Sequence, residues 1–354
     1  MISNSIIFSV NNTYVSYLAV CLKSLLAHIR EQDKYEVYVL NSDISEQNMV
    51  NILSLQQENL HISFVDMREY IDKGIENEFA LTEHFTIETY YRFFLPQIFP
   101  DWDKVLYLDA DTLVLRDIKE LCDIDISDNY LGVTHDCEIV RASHIAGEEY
   151  SDYFTKKLGV DIEQYFQAGV MIVNLKKMRE DNITQKLLEG LKKIKTPKFV
   201  DQDILNMVCF NKVKYISQNW DYTWHLPIID DDYLLHIGET LNEKYEEARK
   251  HPYIIHFTGN GMKPTDYPNM PEAKVFWQYV GVSPYKKYFE KQLKVNFKYL
   301  SRKLYKKKIK LLKYKILDKI TYGDLKKQFQ HRQKKLQQQI VDIKNKMRGG
   351  RIQL

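Results

Sequence analysis

Apolar residues in the first part of the chain follow two spacings. Short runs at Ile6-Ile-Phe-Ser-Val10, Glu36-Val-Tyr-Val-Leu40 and His61-Ile-Ser-Phe-Val65 have the length and β-branched content of buried strands. Between them, Tyr14 to Ile29 sets Tyr14, Tyr17, Leu18, Cys21, Leu25 and His28 at helical intervals, and Ser45 to Leu55 predicts a second helix with Ser45 as its N-cap. Thr86 to Phe99 has a helical period and carries Arg92, after which Val105-Leu-Tyr-Leu108 runs apolar and stops at two carboxylates, Asp109 and Asp111. Further strands are predicted at Tyr130–Thr134, Gly169–Val173, Val213–Ile216 and Tyr253–Phe257. Helices are predicted near Thr184–Ile194 and Asp201–Phe210, with a loop-rich stretch from Asn219 to Gly238. Strands alternating with helices predict the α/β class, a mostly parallel mixed sheet covered on both faces. In such sheets ligands gather at the carboxyl ends of the strands.

The pattern changes at Tyr285, where lysine, tyrosine, leucine and glutamine take over. This marks a division into a body of residues 1–284 and a basic, aromatic-rich helical extension of residues 285–354. Within the extension Leu325, Phe329, Leu336, Ile340, Ile343 and Met347 recur at steps of about three, four or seven. That stripe suits either packing on the chain's own body or oligomerisation through residues 325–347.

Charge sharpens the division. The formal net charge of +2 combines an extension with 23 basic and 4 acidic residues, a local balance of +19, and a body with a balance of −17. Such asymmetry points to a polyanionic partner for the extension. Lysines interleaved with Tyr288, Phe297, Tyr299, Tyr305 and Tyr314 suit an anionic membrane surface. Nucleic acid is the rival, disfavoured by the acidic body and the lack of a recognised nucleic-acid fold. Cys21, Cys122, Cys137 and Cys209 show no disulfide or zinc spacing. The apolar start is strand-length, without a basic flank, and no run is long enough to span a bilayer, so the expectation is a cytoplasmic protein, peripheral at the inner face of the plasma membrane.

The chemistry centres on Val105-Leu-Tyr-Leu-Asp-Ala-Asp-Thr-Leu113. Two carboxylates one residue apart at a strand end project to the same side, which suits Mn²⁺ or Mg²⁺ bridging to phosphate oxygens. Haloacid-dehalogenase-like phosphatases carry a similar Asp-x-Asp-x-Thr, and Asp230-Asp-Asp232 could pose as their later acidic motif. Their first motif opens its domain, however, whereas three predicted strands precede it here. His256, alone, would more often be a satisfied core residue than a ligand. The glycines and lysine that follow it, Gly259, Gly261 and Lys263, supply close backbone approach and a point charge for phosphate.

Taken together, the ordered blocks resemble the family 8 glycosyltransferases, over roughly Ile6 to Pro264. Val105 to Asp111 resembles the strand and Asp-x-Asp motif. Tyr165-Phe-Gln-Ala-Gly-Val-Met-Ile-Val-Asn-Leu-Lys177 resembles the block beside the donor sugar, Asp201-Gln-Asp-Ile-Leu-Asn206 the reaction-centre block, and His256 to Pro264 the late histidine–glycine–lysine block. The resemblance implies a GT-A type, Rossmann-like nucleotide-diphospho-sugar transferase fold. It implies a retaining hexosyltransferase moving glucose or galactose from UDP-glucose or UDP-galactose to a hydroxyl of a cell-surface glycan, glycolipid or glycoprotein. Asp109, Asp111 and His256 would hold manganese or magnesium. Ser9, Asn11, Tyr14, Arg92, Ala110, Gln167, Ala168, Gly169, Gly259 and Lys263 would line the UDP-sugar. Asn11 and Thr13 stand where the family often has Asp and Asn, and Gln167 where Asn is commoner. At the reaction centre Gln202 would sit opposite the leaving group, Asp201 would hydrogen-bond the donor sugar, and Asp136 would line the acceptor side. An amide is a poor nucleophile, so front-face substitution is the simpler expectation than double displacement.

Overall fold

The computed structural model describes residues 4–71, 79, 86–224, 237–258, 263–320 and 323–347. Asp230-Asp-Asp232 and the Gly259 and Gly261 pair lie outside these residues. The backbone groups into two units, Met1–Thr258 and Gly259–Leu354.

The described residues of the first unit form ten strands: β1 (Asn4–Ser9), β2 (Tyr35–Asn41), β3 (Leu60–Asp66), β4 (Lys104–Leu108), β5 (Thr112–Val114), β6 (Leu131–His135), β7 (Phe166–Asn174), β8 (Val213–Tyr215), β9 (Tyr222–Thr223) and β10 (Ile254–His256). Seven form one sheet in the order β3-β2-β1-β4-β7-β6-β8, and β5-β10-β9 form a small second sheet. Strands β3, β2, β1 and β4 are parallel, β7 runs against both neighbours, and β6 and β8 are parallel. The carboxyl ends of β1, β4, β6 and β8 therefore meet the amino end of β7 along one edge. The longer helices are α1 (Val15–Leu26), α2 (Glu46–Leu53), α3 (Cys137–Ala146), α4 (Ile183–Ile194), α5 (Val200–Cys209) and α6 (Glu239–Lys250). Ser45 caps α2 as expected, its side chain accepting from Asn48 N–H.

The predicted strands and helices appear in the predicted order, with two informative differences. Thr86 to Phe99 is not one α-helix: Ile87–Phe94 is a 3₁₀ helix, and a short α turn restarts at Leu95–Ile98. Pro96 accounts for the restart, because proline fits the first turn of a helix but cannot continue one. Strand β7 extends through Gly169 instead of starting there, so the glycine sits inside a buried strand. The core beneath the edge is aromatic, with Tyr90, Phe93, Tyr107, Phe154, Tyr165 and Phe166 buried.

The second unit contains α7 (Pro271–Gly281), α8 (Lys286–Ile320) and α9 (Gly323–Met347). Helices α8 and α9 form an antiparallel hairpin. Tyr314 packs on Phe329 at 5.7 Å, Gln333 donates to the Tyr314 carbonyl, and Lys307 Nζ donates to Gln339 Oε1. The stripe read from the sequence is thus used inside the chain, with Leu336, Ile340 and Ile343 buried, while Leu325 is 50% exposed and stands off it. Among the described residues no helix is long and apolar enough to cross a membrane.

Candidate active site

Asp109 and Asp111 do not extend a strand. Strand β4 ends at Leu108 and β5 begins at Thr112, so the pair occupies the intervening turn, closed by Thr112 Oγ1 donating to the Asp109 carbonyl at 2.9 Å. The two carboxylates converge because of pairing elsewhere. Strand β10 lies antiparallel to β5 with His256 opposite Thr112, and Phe257 N–H donates to the Asp111 carbonyl at 3.0 Å. This register sets His256 Nε2 3.3 Å from Asp111 Oδ1 and 3.7 Å from Asp109 Oδ2.

Together these side chains offer three ligand atoms within 4.8 Å of one another. Neighbouring ligands of a hard cation bound at ~2.1 Å stand ~3 Å apart, so the set fits one such ion. Gly169 supplies independent support. A Cβ there would stand 2.1 Å from His256 Cε1 and 2.8 Å from Asp109 Oδ2, so imidazole and carboxylate close over bare backbone. The Gly169 carbonyl also accepts from Asp109 N–H at 2.7 Å, fixing the turn against β7. Ala110, at the tip of the turn, is buried.

Behind the histidine lies a residue that sequence reasoning missed. Asp221, fully buried, accepts from His256 Nδ1 at 3.0 Å and is itself approached by Thr134 Oγ1 at 3.4 Å. A carboxylate on Nδ1 fixes the proton there and leaves Nε2 to face the two aspartates. Burial lowers the affinity of His256 for a second proton, but Asp221 and Asp111 outweigh it and push the pKa up to about 10. Nothing in the local sequence flags Asp221, which follows Trp220 in the loop-rich stretch and meets His256 only through the pairing of β9 with β10.

Arg92 is buried, not a solvated surface group. It donates to the Thr89 and Ala168 carbonyls and to Asp109 Oδ1, and its guanidinium lies 4.3 Å from the centre of the Tyr107 ring. Its Nε is also 3.0 Å from Asp201 Oδ2, without the alignment of a hydrogen bond. Burial favours the neutral guanidine, yet Asp201, Tyr107 and Asp109 more than compensate and hold the charge. Asp201 Oδ2 is left buried with no hydrogen-bond donor. Burial raises the Asp201 pKa to about 7, with Arg92 pulling it down and Asp109 adding to the rise.

Gln202 bridges the remaining pieces. Its Oε1 accepts from Ala168 N–H at 3.0 Å and its Nε2 donates to Asp136 Oδ2 at 2.9 Å. The amide orientation follows from its partners, since an N–H needs an acceptor and a carboxylate a donor. Asp136 caps α3 through Ile139 N–H. Asp203, the other carboxylate of that block, is occupied by Tyr153, Tyr165 and Phe199 N–H. Gln167 Oε1 accepts from Gly169 N–H. At the end of β1, Ser9 donates to the Glu88 carbonyl, Asn11 caps the turn to Tyr14 while donating to Thr86, and the Tyr14 ring packs 5.6 Å from Tyr17. Lys263 belongs to the second unit, where its N–H donates to Asp266.

Along the edge the order is β1, β4, β7, β6, so Asn11, the acidic turn, Ala168 with Gly169, and Asp136 follow one another. Residues 5–267 match the model of the family described as Glycosyl transferase family 8. A putative glycosyltransferase of Haemophilus influenzae is 31% identical over 221 residues, which span 62% of this chain and 63% of that protein. The galactosyltransferase LgtC, in a structure with donor and acceptor sugar analogs, is 26% identical at a TM-score of 0.63, covering 79% of this chain and 96% of that one. The apo WbbM bifunctional glycosyltransferase is 25% identical at a TM-score of 0.73, over 82% of this chain and 51% of its own length.

Proposed function

Because the chain belongs to glycosyl transferase family 8, with the GT-A fold of its structural relatives, we propose that it moves a hexose, glucose or galactose, from a UDP-sugar to a hydroxyl of a cell-surface glycan, glycolipid or glycoprotein, with retention of configuration. The observation that carries this reading is the convergence of Asp109, Asp111 and His256 over Gly169, next to the buried Arg92–Asp201 pair and the Gln202–Asp136 bridge. Membership in the family argues against the phosphatase reading, and against a basic membrane- or nucleic-acid-binding protein without catalysis. The division into a body of residues 1–284 and an extension from Tyr285 is part of the proposal, as is attachment of that extension to an anionic membrane surface.

Asp109, Asp111 and His256 would hold manganese or magnesium, which supplies charge neutralisation for a departing diphosphate. The protein's own groups do the rest. Arg92 donates to Asp109 and pulls the Asp201 pKa down against the rise that burial causes. Asp201 Oδ2, ion-paired with Arg92 but without a hydrogen bond, suits a hydroxyl of the donor sugar, which would satisfy it. Gln202 spends its oxygen on Ala168 and its nitrogen on Asp136, and so acts as a spacer that holds β7 against α3 beside the sugar. Neither Gln202 nor Asp203 then offers a free nucleophilic oxygen, which supports front-face substitution. In that step the acceptor oxygen bonds the anomeric carbon as its bond to the phosphate oxygen breaks. The acceptor proton passes to the departing phosphate.

Thermal-shift titration with UDP-glucose, UDP-galactose and their N-acetyl forms, with and without Mn²⁺, tests the proposal. The expected result is a Mn²⁺-dependent shift for a UDP-hexose, abolished in Asp109→Asn. Phosphate release from simple phosphoesters without sugar transfer would overturn it.

A further inference from the structure

Helix α8 has two apolar stripes, and α9 covers only one. Lys307 and Tyr314 contact α9, and the half-buried Leu300, Leu304 and Leu311 share their stripe, the five recurring at steps of three and four. On the other side Tyr305, Ile309, Leu312 and Ile316 follow at steps of four, three and four and are 67%, 40%, 60% and 54% exposed. At about 100° per residue these four fall within an arc of about 60°, centred about 150° from the seam. Lys306 and Lys313 flank this ridge on one side, Lys308 and Lys315 on the other, all exposed. Lys294, Lys298 and Arg302 continue the same face toward the start of the helix.

We infer that this face of α8 docks on the surface of an anionic phospholipid bilayer, with Tyr305, Ile309, Leu312 and Ile316 at the acyl boundary and the flanking lysines among the headgroups. The inference deepens the membrane part of the proposal above and does not depend on the transferase reading. The pairing of chemistries selects the occupant. A bilayer presents apolar interior and negative charge within one headgroup depth, and lysine stems can lie along the apolar boundary while their charges stay in water. A second copy of the same face would set lysine against lysine, since the extension holds 23 basic and only 4 acidic residues. Nucleic acid would satisfy the lysines but leave an aliphatic Ile-Leu-Ile ridge facing phosphates.

Co-sedimentation of the full chain with phosphatidylcholine vesicles, with and without phosphatidylglycerol, tests this. Binding is expected to the phosphatidylglycerol vesicles and to weaken with salt. Ile309→Glu combined with Leu312→Glu should cut the affinity about ten-fold or more, and each Lys→Gln at 306, 308, 313 or 315 about five-fold. Mn²⁺-dependent UDP-sugar binding should stay at the wild-type level in all these variants, which separates failure of docking from failure of the fold or of the functional reading. The inference is overturned if the double variant binds as wild type does, if the full chain ignores phosphatidylglycerol, if it retains duplex DNA but not vesicles, or if the double variant instead dissolves an oligomer.

Discussion

Replacing Gly169 by alanine asks whether the acidic turn and the histidine are built around bare backbone. The new Cβ would lie 2.1 Å from His256 Cε1, 2.8 Å from His256 Nδ1 and 2.8 Å from Asp109 Oδ2. Carbon atoms prefer separations of about 3.5–4.0 Å, so the imidazole must retreat by more than an ångström. It cannot do so and keep its 3.0 Å contact with Asp221, which is fully buried. Moving it breaks a buried, charge-assisted pair, a disruption of about 3–5 kcal/mol. We therefore expect Gly169→Ala to weaken Mn²⁺ binding by about a hundred-fold or more. Titration of free Mn²⁺ by electron paramagnetic resonance reads this directly, with circular dichroism confirming the fold. A stability cycle separates the clash from general strain. The destabilisation by Gly169→Ala should largely disappear in a His256→Ala background, where the obstructing ring is gone. Manganese affinity within about three-fold of wild type, or an undiminished destabilisation without His256, would refute the reasoning.

Three other outcomes follow from the same geometry. Asp221→Asn presents an amide that can donate to Nδ1 and move the imidazole proton to Nε2. Mn²⁺ affinity should then fall about 10- to 100-fold in a protein that still folds, as seen by the same titration. In the metal-free protein His256 titrates near 10 instead of 6.5, so the folded chain binds the extra proton more tightly than the unfolded chain. Its stabilising contribution is full below pH 6.5 and is lost as pH rises toward 10, and thermal unfolding should follow that slope. Mn²⁺ binding at pH 8 should accordingly release close to one proton, measurable by calorimetry in buffers of different ionisation enthalpy. Gln202→Ala leaves Ala168 N–H and Asp136 Oδ2 short of a partner, so turnover should drop by about 10-fold or more while Mn²⁺ affinity holds. Nearly full turnover would remove Gln202 from the reaction centre.

The sequence by itself determined the class of the fold and the kind of chemistry. Strand-length apolar runs at Ile6, Glu36, His61 and Val105, separated by helical spacings, required an α/β sheet because the two periods cannot be exchanged. The aspartate pair marked a candidate site for a hard cation because of its residue type and its place behind an apolar strand. Tertiary structure decided how the site is assembled. The carboxylates converge through a turn and the pairing of β10 with β5, not through strand alternation, and such pairing joins residues more than a hundred positions apart. Asp221 and the buried state of Arg92 were invisible for the same reason, since each depends on which strand lies alongside. The stripe at Leu336, Ile340 and Ile343 was legible as a seam, but only the folded chain shows that it is buried and that α9 pairs with α8 in a hairpin, with the lysine-flanked ridge of α8 left exposed. A one-dimensional pattern records which face is apolar; which neighbour covers it is a property of the folded chain.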